Sequence, residues 1–231
     1  MLKRIIYAGL ISLSLVSASY ANDFYIGAGI GHQTATIDKK LSITTPDNSY
    51  RYYKHDHQPS TGTLGNIFTG YEWNFDRFYL ATELNASLSS LKYHGYFTET
   101  EDGINNTSEA TYTLRNSYGL SLLPGYQVSD NVLLYGRIGY VKGNFKYAEY
   151  KTNTGEGERG VTEHEWLNGI RYGLGINTSL SKNIALRLEY DQTRYGTYKD
   201  STFPMPSGQF RQIDLTPFVN QAELDLVYKF S

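Results

Sequence analysis

Ile184-Ala185-Leu186-Arg187-Leu188-Glu189-Tyr190-Asp191 is the stretch that decides the fold of this 231-residue chain. Side chains along a β-strand point alternately to opposite faces. One face of this stretch therefore carries Ile, Leu, Leu and Tyr, whereas the other carries Ala, Arg, Glu and Asp. Three charged side chains in a row cannot line the dry core of a small sandwich unless each charge is paired. The pattern indicates an inverted arrangement, in which the apolar face meets lipid and the charged face lines an enclosed interior.

About seven further segments show the same alternation, and they are joined in turn by tight turns and by long polar stretches. The tight turns are predicted at residues 74–76, 129–131 and 181–183, and the polar stretches at about 32–60, 92–109, 152–163 and 196–211. We therefore predict an all-β fold, an eight-stranded antiparallel up-and-down transmembrane β-barrel with short periplasmic turns and four long extracellular loops. Closure leaves no unpaired sheet edge in lipid.

The first 21 residues have the three parts of a secretory signal peptide. Lys3 and Arg4 form the charged start, residues 5–16 form the apolar stretch, and Ser19-Tyr20-Ala21 is a small-x-small cleavage site. A membrane-anchor helix is the alternative, but the apolar stretch is too short and a cleavage site follows it. We expect a signal peptide at 1–21, a barrel domain at 22–231, and export to the bacterial outer membrane.

Composition excludes several classes of protein. The chain contains no cysteine, so disulfides, thiolate nucleophiles and cysteine-based metal sites are excluded. A formal net charge of −2 gives no reason to propose a nucleic-acid partner. The 22 tyrosines suit the aromatic girdles at the two membrane surfaces. We expect the girdles to contain Tyr71, Trp73, Phe78, Tyr126, Tyr140, Tyr172, Tyr190, Tyr228 and Phe230.

The inward positions carry charges of both signs. An eight-stranded barrel is only wide enough for its own side chains, so the interior is first a packing problem. Near-balance of sign favours a network of ion pairs over an ion-selective pore, although a narrow or gated channel is the alternative. Counting from the tight turns places Glu83, Arg137, Glu189 and Asp225 at similar heights near mid-barrel. The predicted network comprises Glu72, Glu83, Arg115, Arg137, Arg171, Arg187, Glu189, Asp191, Glu223, Asp225 and Lys229.

The first polar stretch contains the densest group of aromatic and basic residues, Tyr50, Arg51, Tyr52, Tyr53 and Lys54. Rings beside cations are suited to stacking on sugars or binding sulfated or phosphorylated glycans. The alternative is an extended strand above the membrane that contacts lipopolysaccharide head groups. Two histidines follow, but no further ligand is fixed by sequence, so we predict neither a metal site nor a cofactor.

Some small barrels modify lipid A, which makes catalysis a possibility for a chain of this pattern. Such chemistry needs a serine, a histidine and an acid in mutual contact. The histidines are His32, His55, His57, His94 and His164, all in or beside predicted extracellular loops. Nothing in the spacing places a nucleophile against any of them. We therefore predict no catalytic residue and no enzyme.

The chain resembles the outer-membrane β-barrel family that includes the OmpA transmembrane domain and the OmpX/Ail-like and opacity-type surface proteins. The residues that carry the resemblance are those at 24–31, 70–71, 122–126, 134–140 and 187–190, together with the alternating C-terminal strand. The resemblance implies a non-enzymatic surface protein that contacts outer-membrane lipids, lipopolysaccharide and the barrel-insertion machinery. Host or glycan ligands of the loops are a further expectation. A small porin is the first alternative, and a lipid A-modifying enzyme is the second.

Overall fold

The computed structural model describes residues 22–44, 51–101, 104–153, 157–200 and 210–230, and nearly all of them are in β-strands. The predicted signal peptide lies outside the described residues. No helix in the described ranges is long and apolar enough to cross a membrane. The strands are β1 (Asn22–Thr44), β2 (Arg51–Phe75), β3 (Phe78–Ser89), β4 (Lys92–Glu101), β5 (Ile104–Ser129), β6 (Val132–Asn153), β7 (Gly157–Ser179), β8 (Ile184–Tyr195), β9 (Tyr198–Asp200) and β10 (Phe210–Phe230).

Every strand pairs antiparallel with its neighbours, and the first strand pairs with the last. The β1–β10 register runs from Phe24 opposite Phe230 to Thr44 opposite Phe210, and it closes the sheet into a barrel. Strand β4 continues the course of β3, and β9 continues that of β8. Each of these two pairs is one interrupted strand, so the barrel wall contains eight strands. We call each of these eight, whether continuous or interrupted, a stave. The predicted architecture is confirmed.

Burial alternates along the strands as the sequence predicted. In β8, Leu188 is 55% exposed and Tyr190 57%, whereas Arg187 is 1% and Asp191 0% exposed. The apolar side chains of β8 therefore form the outer surface, and its charged side chains are the buried ones. This is the inverse of a soluble sandwich, and the inverted reading of the sequence is confirmed.

Three tight turns join strands at one end of the barrel, which we call the turn end. Residues 76–77 connect β2 to β3, 130–131 connect β5 to β6, and 180–183 connect β7 to β8. Asp76 has φ = 59°, which is the left-handed conformation that two-residue hairpins of the favoured type require and that Asp tolerates. The opposite end is called the loop end.

At the loop end, the strands are much longer than the sequence predicted. The segments predicted to be long loops are mostly strand, as in the β1–β2 pairing that continues to Thr44 opposite Arg51. In water, both faces of a hairpin can carry polar side chains, so no period-two pattern marks these strands. Only residues 45–50, 102–103, 154–156 and 201–209 between strands lie outside the described residues.

The sheet divides at the loop end along two seams. At the first seam, the pairing of β2 with β3 ends at Leu64. Beyond it, the Ser60 hydroxyl donates a hydrogen bond to the Lys92 carbonyl at 2.6 Å. At the second, β7 stops pairing with β8 beyond Gly169, and the Gly196 N–H donates to the Asn168 carbonyl at 2.7 Å. Beyond these points two separate sheets continue, β4 to β7 and β9–β10–β1–β2.

The interior is layered along the barrel axis. Along β6, buried Leu133 and Tyr135 come first, Arg137 follows, and buried Val141 comes last. Two apolar clusters therefore lie below and above a charged layer. The lower cluster contains Tyr25, Phe68, Tyr79, Ala81, Leu123, Leu133, Tyr135, Ala185 and Val227. The upper cluster contains Ala35, Leu91, Leu114, Val141, Leu167, Tyr195 and Val219.

Candidate functional site

Glu83 on β3 lies at the centre of the charged layer. Its Oε1 is 2.6 Å from Arg137 Nη2, and its Oε2 is 2.6 Å from Arg187 Nη1. The Tyr25 hydroxyl donates a third bond to Oε2 at 3.0 Å. A carboxylate that is 1% exposed is stable in this position because charged and neutral donors replace the lost water.

Arg137 links Glu83 to a second carboxylate, Glu189 on β8. The Nη2 of Arg137 donates to Glu189 Oε2 at 2.9 Å, and its Nε lies 2.9 Å from Glu189 Oε1. The Tyr135 hydroxyl also donates to Glu189, and Asp191 Oδ2 lies 3.7 Å from Arg137 Nε. The structure thus brings together three of the four residues that the sequence placed at one height.

The fourth, Asp225, is buried but forms no hydrogen bond to the other three among the described residues. Its Oδ1 lies against Gly29 and has no hydrogen-bond partner. Near it, Gln221 Nε2 donates to Glu223 Oε1 at 2.5 Å and to Asp191 Oδ2 at 3.4 Å. Arg171 Nε donates to the Thr193 hydroxyl at 3.3 Å.

Arg187 is enclosed by rings, which the sequence did not predict. Its guanidinium carbon lies 4.5 Å from the ring centre of Phe68, 5.4 Å from that of Tyr135 and 5.5 Å from that of Tyr25. Cation–π attraction is strongest where water is excluded, as it is here. The lower apolar cluster and the charged layer are therefore joined through one side chain.

A signal for these rings was present in the sequence. Each pairs across the strands with a glycine: Tyr25 with Gly70, Phe68 with Gly27, and Tyr135 with Gly175. A Cβ on Gly175 would lie 2.1 Å from Tyr135 Cζ, so the ring occupies the space that a side chain would take. Inward glycines opposite inward aromatics mark such positions.

A separate ion pair lies at the turn end. Lys229 Nζ is 2.7 Å from Glu72 Oε1, which also accepts a bond from Asn74 Nδ2 at 3.2 Å. The Lys229 side chain is 21% exposed, so this pair is in contact with water. It lies near the rim of the barrel and not in the mid-barrel network.

The predicted position of Arg115 in the interior is wrong. A β-bulge lies between Leu114 and Asn116, where the pairing with β6 shifts by one residue. The extra residue places Arg115 on the outer surface, where it is exposed. Among the residues whose side chains the structure describes, the interior therefore contains six buried carboxylates against three buried guanidiniums and the partly exposed Lys229. The carboxylates are Glu72, Glu83, Glu189, Asp191, Glu223 and Asp225, and the guanidiniums are Arg137, Arg171 and Arg187.

Three of these carboxylates could in principle hold a cation. One oxygen each of Glu189, Asp191 and Glu223 lies within 4.8 Å of the others. However, Gln221 donates between Asp191 and Glu223, and Arg137 lies against Glu189 and Asp191. These donors already occupy much of the space around the oxygens, so we assign the trio to the network.

The outer surface carries aromatic residues near both ends. At the turn end, Phe78 and Tyr126 have ring centres 5.5 Å apart, and Tyr228 and Phe230 5.0 Å apart. Tyr71 and Trp73 form a further pair there at 5.0 Å, and exposed Tyr140, Tyr172 and Tyr190 lie towards the loop end. The structure adds residues that the sequence analysis omitted: Phe24, Tyr118 and Trp166.

The aromatic and basic group of the first polar stretch is only partly described. Residues 51–54 belong to β2, paired with residues 41–44 of β1, and their side chains are not described. Tyr50 lies outside the described residues. This segment is therefore extended strand, and no contact of its side chains is assigned. The histidines with described side chains, His32, His94 and His164, are exposed.

Comparison with known proteins gives matches over nearly the whole chain. The profile of the family "Outer membrane protein beta-barrel domain" matches residues 5–230. Outer membrane protein X of Escherichia coli is 27% identical over 144 residues, which cover 62% of this chain and 72% of that protein. Outer membrane protein P5 of Haemophilus influenzae is 28% identical over 236 residues, which cover 98% of this chain but 59% of that protein.

Solved structures with similar architecture include two surface barrels. Ail of Yersinia pestis, crystallised with the heparin analogue sucrose octasulfate, aligns with 87% of this chain and 99% of its own, with 15% identity and a TM-score of 0.38. Neisserial surface protein A aligns with 90% of this chain and 97% of its own, with 12% identity and a TM-score of 0.41.

Proposed function

Because this chain belongs to the outer membrane protein β-barrel domain family and is a bacterial outer-membrane protein, we propose that it is a non-enzymatic, non-conducting surface barrel. Its extended strands at the loop end present side chains to the outside of the cell. We propose host molecules, glycans and neighbouring lipopolysaccharide as partners of that end. The turn end faces the periplasm in this proposal.

The order of the layers in the interior is the observation that supports a barrel that does not conduct ions. Tyr79, Leu123 and Leu133 fill the lower layer, and each is at most 5% exposed. Val141, Tyr195 and Val219 fill the upper layer and are at most 3% exposed. An ion that crossed the barrel would lose its water twice, at two apolar constrictions. The charged layer between them holds the staves in one arrangement and provides no path.

Planar-bilayer recording tests this part of the proposal. The refolded mature chain is added to a bilayer beside a known porin that was refolded in the same detergent. The expected result is no steady single-channel opening from this chain, while the porin conducts. Steady openings of uniform size would favour the small porin instead.

The display role is tested at the residues that the sequence analysis selected. The test compares the parent with a variant in which the selected residues are replaced by Ser, and it measures the attachment of cells to immobilised heparin and to epithelial cells. The replaced residues are Tyr50, Arg51, Tyr52, Tyr53 and Lys54. We expect attachment to fall several-fold at equal surface expression, since rings and cations both contribute to glycan binding. Equal attachment would remove this segment from the proposal.

The non-enzymatic part is tested on the lipid that some barrels modify. The described histidines are exposed, and a catalytic base needs an acid to orient it and a nucleophile within hydrogen-bond reach. Lipid A mass spectra of cells with and without the protein are expected to be identical. A new acyl or deacylated species would reverse this part.

We propose cleavage after Ala21 and insertion by the barrel-insertion machinery, on the basis of the charged, apolar and small-residue pattern of residues 1–21. Intact-mass measurement of the protein from outer membranes is expected to give a chain that begins at Asn22.

A further inference from the structure

Five basic residues lie on the outward surface of β4 to β7 at the loop end. The antiparallel register places Lys92, Lys146 and His164 in one row across the four strands, with Thr113 between the first two. Lys142 lies on the same face of β6 as Lys146, four residues closer to the turn end. Since neighbouring strands are about 4.8 Å apart, the row is about 15 Å wide. We call this group the basic patch: Lys92, Arg115, Lys142, Lys146 and His164.

Arg115 joins the patch because of the β-bulge. The register shift between Leu114 and Asn116 leaves Arg115 without a partner residue on β6, beside Asn144, which lies between Lys142 and Lys146. Without the extra residue, the outward position here would be filled by Asn116 alone. The bulge therefore adds a guanidinium, with its fork of donors, to a surface of lysines.

The lysine and arginine cations of the patch are free to bind an external anion. None of the ion pairs among the described residues includes a patch residue. Lys92, Arg115, Lys142 and His164 are exposed, and Lys146 is half-buried. Positive charge on this face is thus not neutralised by carboxylates in the described part of the chain.

The position of the patch selects its partner. Lys142 Nζ lies 5.9 Å above the ring of Trp166, which stacks on Tyr118 with 5.8 Å between ring centres. Exposed rings of this kind mark the boundary between hydrocarbon and head groups. The patch lies just beyond that boundary and faces sideways, into the leaflet that surrounds the barrel. In the described residues, the exposed positions beyond the belt on β1 and β2 carry fewer positive charges: they include His32, Thr34, Thr61 and Thr63, with Lys40 farther along β1.

We propose that the basic patch binds the phosphate groups of a phosphorylated glycolipid in the surrounding outer leaflet. The proposal rests on the membrane placement given above. A guanidinium binds two phosphate oxygens at once, and lysines add point charges around it. Trp166 and Tyr118 offer apolar faces beside the sugar to which the phosphates are attached. A soluble polyanion would approach from the strand ends, whereas this surface faces neighbouring lipids.

The test compares two variants that each remove two positive charges. The patch variant is Arg115→Gln with Lys142→Gln, and the control is Arg77→Gln with Lys182→Gln, both exposed in turns at the opposite end. Each protein is folded into phosphatidylcholine nanodiscs that contain diphosphorylated lipid A. The lipid A retained per barrel after mild detergent extraction is then measured at low and high salt.

We expect the parent and the control to retain lipid A equally, and the patch variant to retain about tenfold less. Retention by the parent is expected to fall at high salt and with dephosphorylated lipid A. Equal retention by the patch variant and the control, with both barrels folded on a gel, would overturn the glycolipid site and leave the barrel proposal intact. Failure of the parent to insert at all would instead count against the membrane placement. Binding of a soluble heparin fragment that is lost only in the patch variant, with lipid A retention unchanged, would also overturn the inference.

Discussion

Single side chains at inward positions determine how tightly this barrel is filled. Tyr135 lies over Gly175 and donates to Glu189, and its ring faces the Arg187 guanidinium. The Tyr135 side chain therefore fills space over a glycine, donates a hydrogen bond to a carboxylate and covers one side of a guanidinium. Substitutions here affect packing and charge together, so single residues provide sharp tests.

Gly175→Ala is expected to lower the free energy of unfolding by about 1–3 kcal/mol, because the new Cβ overlaps the Tyr135 ring. A Cβ on Gly65 would instead meet no heavy atom within 4 Å. The matched control Gly65→Ala is expected to leave stability unchanged or raise it by up to about 1 kcal/mol. Urea unfolding in lipid vesicles, followed by fluorescence of the two tryptophans, measures both. Equal effects of the two substitutions would contradict the ring-over-glycine packing.

Glu83→Ala is expected to lower the free energy of unfolding by about 3–5 kcal/mol, because it removes the carboxylate that Arg137 and Arg187 share. Asp130→Ala, in an exposed turn, changes the same formal charge and is expected to stay within about 0.5 kcal/mol of the parent. The same urea titration compares them. A small effect of Glu83→Ala would mean that the network does not hold the staves together.

At the scale of the strands, the alternation was predictable and its interruptions were not. Ile184 to Asp191 shows its two faces in the sequence because lipid and interior select opposite chemistry at every second position. A bulge breaks that count by one residue without a compositional mark, so Arg115 was assigned to the wrong face. The strand extensions at the loop end were missed because water accepts polar side chains on both faces. The ion pairs of Glu83 were predicted as a group, but which oxygen meets which donor depends on rotamers that spacing does not fix.

Deletion of Arg115 tests the bulge. Removing it leaves Leu114 inward and Ser117 inward, so the alternation on both sides is preserved. We expect a folded barrel with a free energy of unfolding within about 1 kcal/mol of the parent. Deletion of Asn66 in the middle of β2 is the comparison, since it turns every residue on one side of the gap to the opposite face. That variant is expected to fail to fold, as judged by the shift of the folded band on an unheated gel. Loss of the folded band in both deletions would argue against the bulge.

At the scale of the whole molecule, one closed ring holds two sheets that project from it. The ring is continuous in hydrogen bonds from β1 through to β10 near the turn end. The chain contains no cysteine, so a single introduced thiol reports on one site. The orientation of the molecule in the membrane is therefore directly measurable.

Lys199→Cys is expected to react with a membrane-impermeant maleimide on intact cells, because Lys199 is exposed on β9 at the loop end. Lys182→Cys, exposed in a tight turn, is expected to react only after the outer membrane is opened. Labelling is read as a mass shift. The reverse pattern would place the tight turns outside the cell and exclude the proposed orientation.

The seams beside Ser60 and Gly196 have a consequence for how this protein can change over generations. Beyond them, neither projecting sheet shares backbone bonds with the other across the seam in the described strands. Residues gained or lost in one projection therefore leave the spacing of the anchored ring undisturbed. Such a molecule can vary its two projecting sheets while the closed ring below them keeps its sequence.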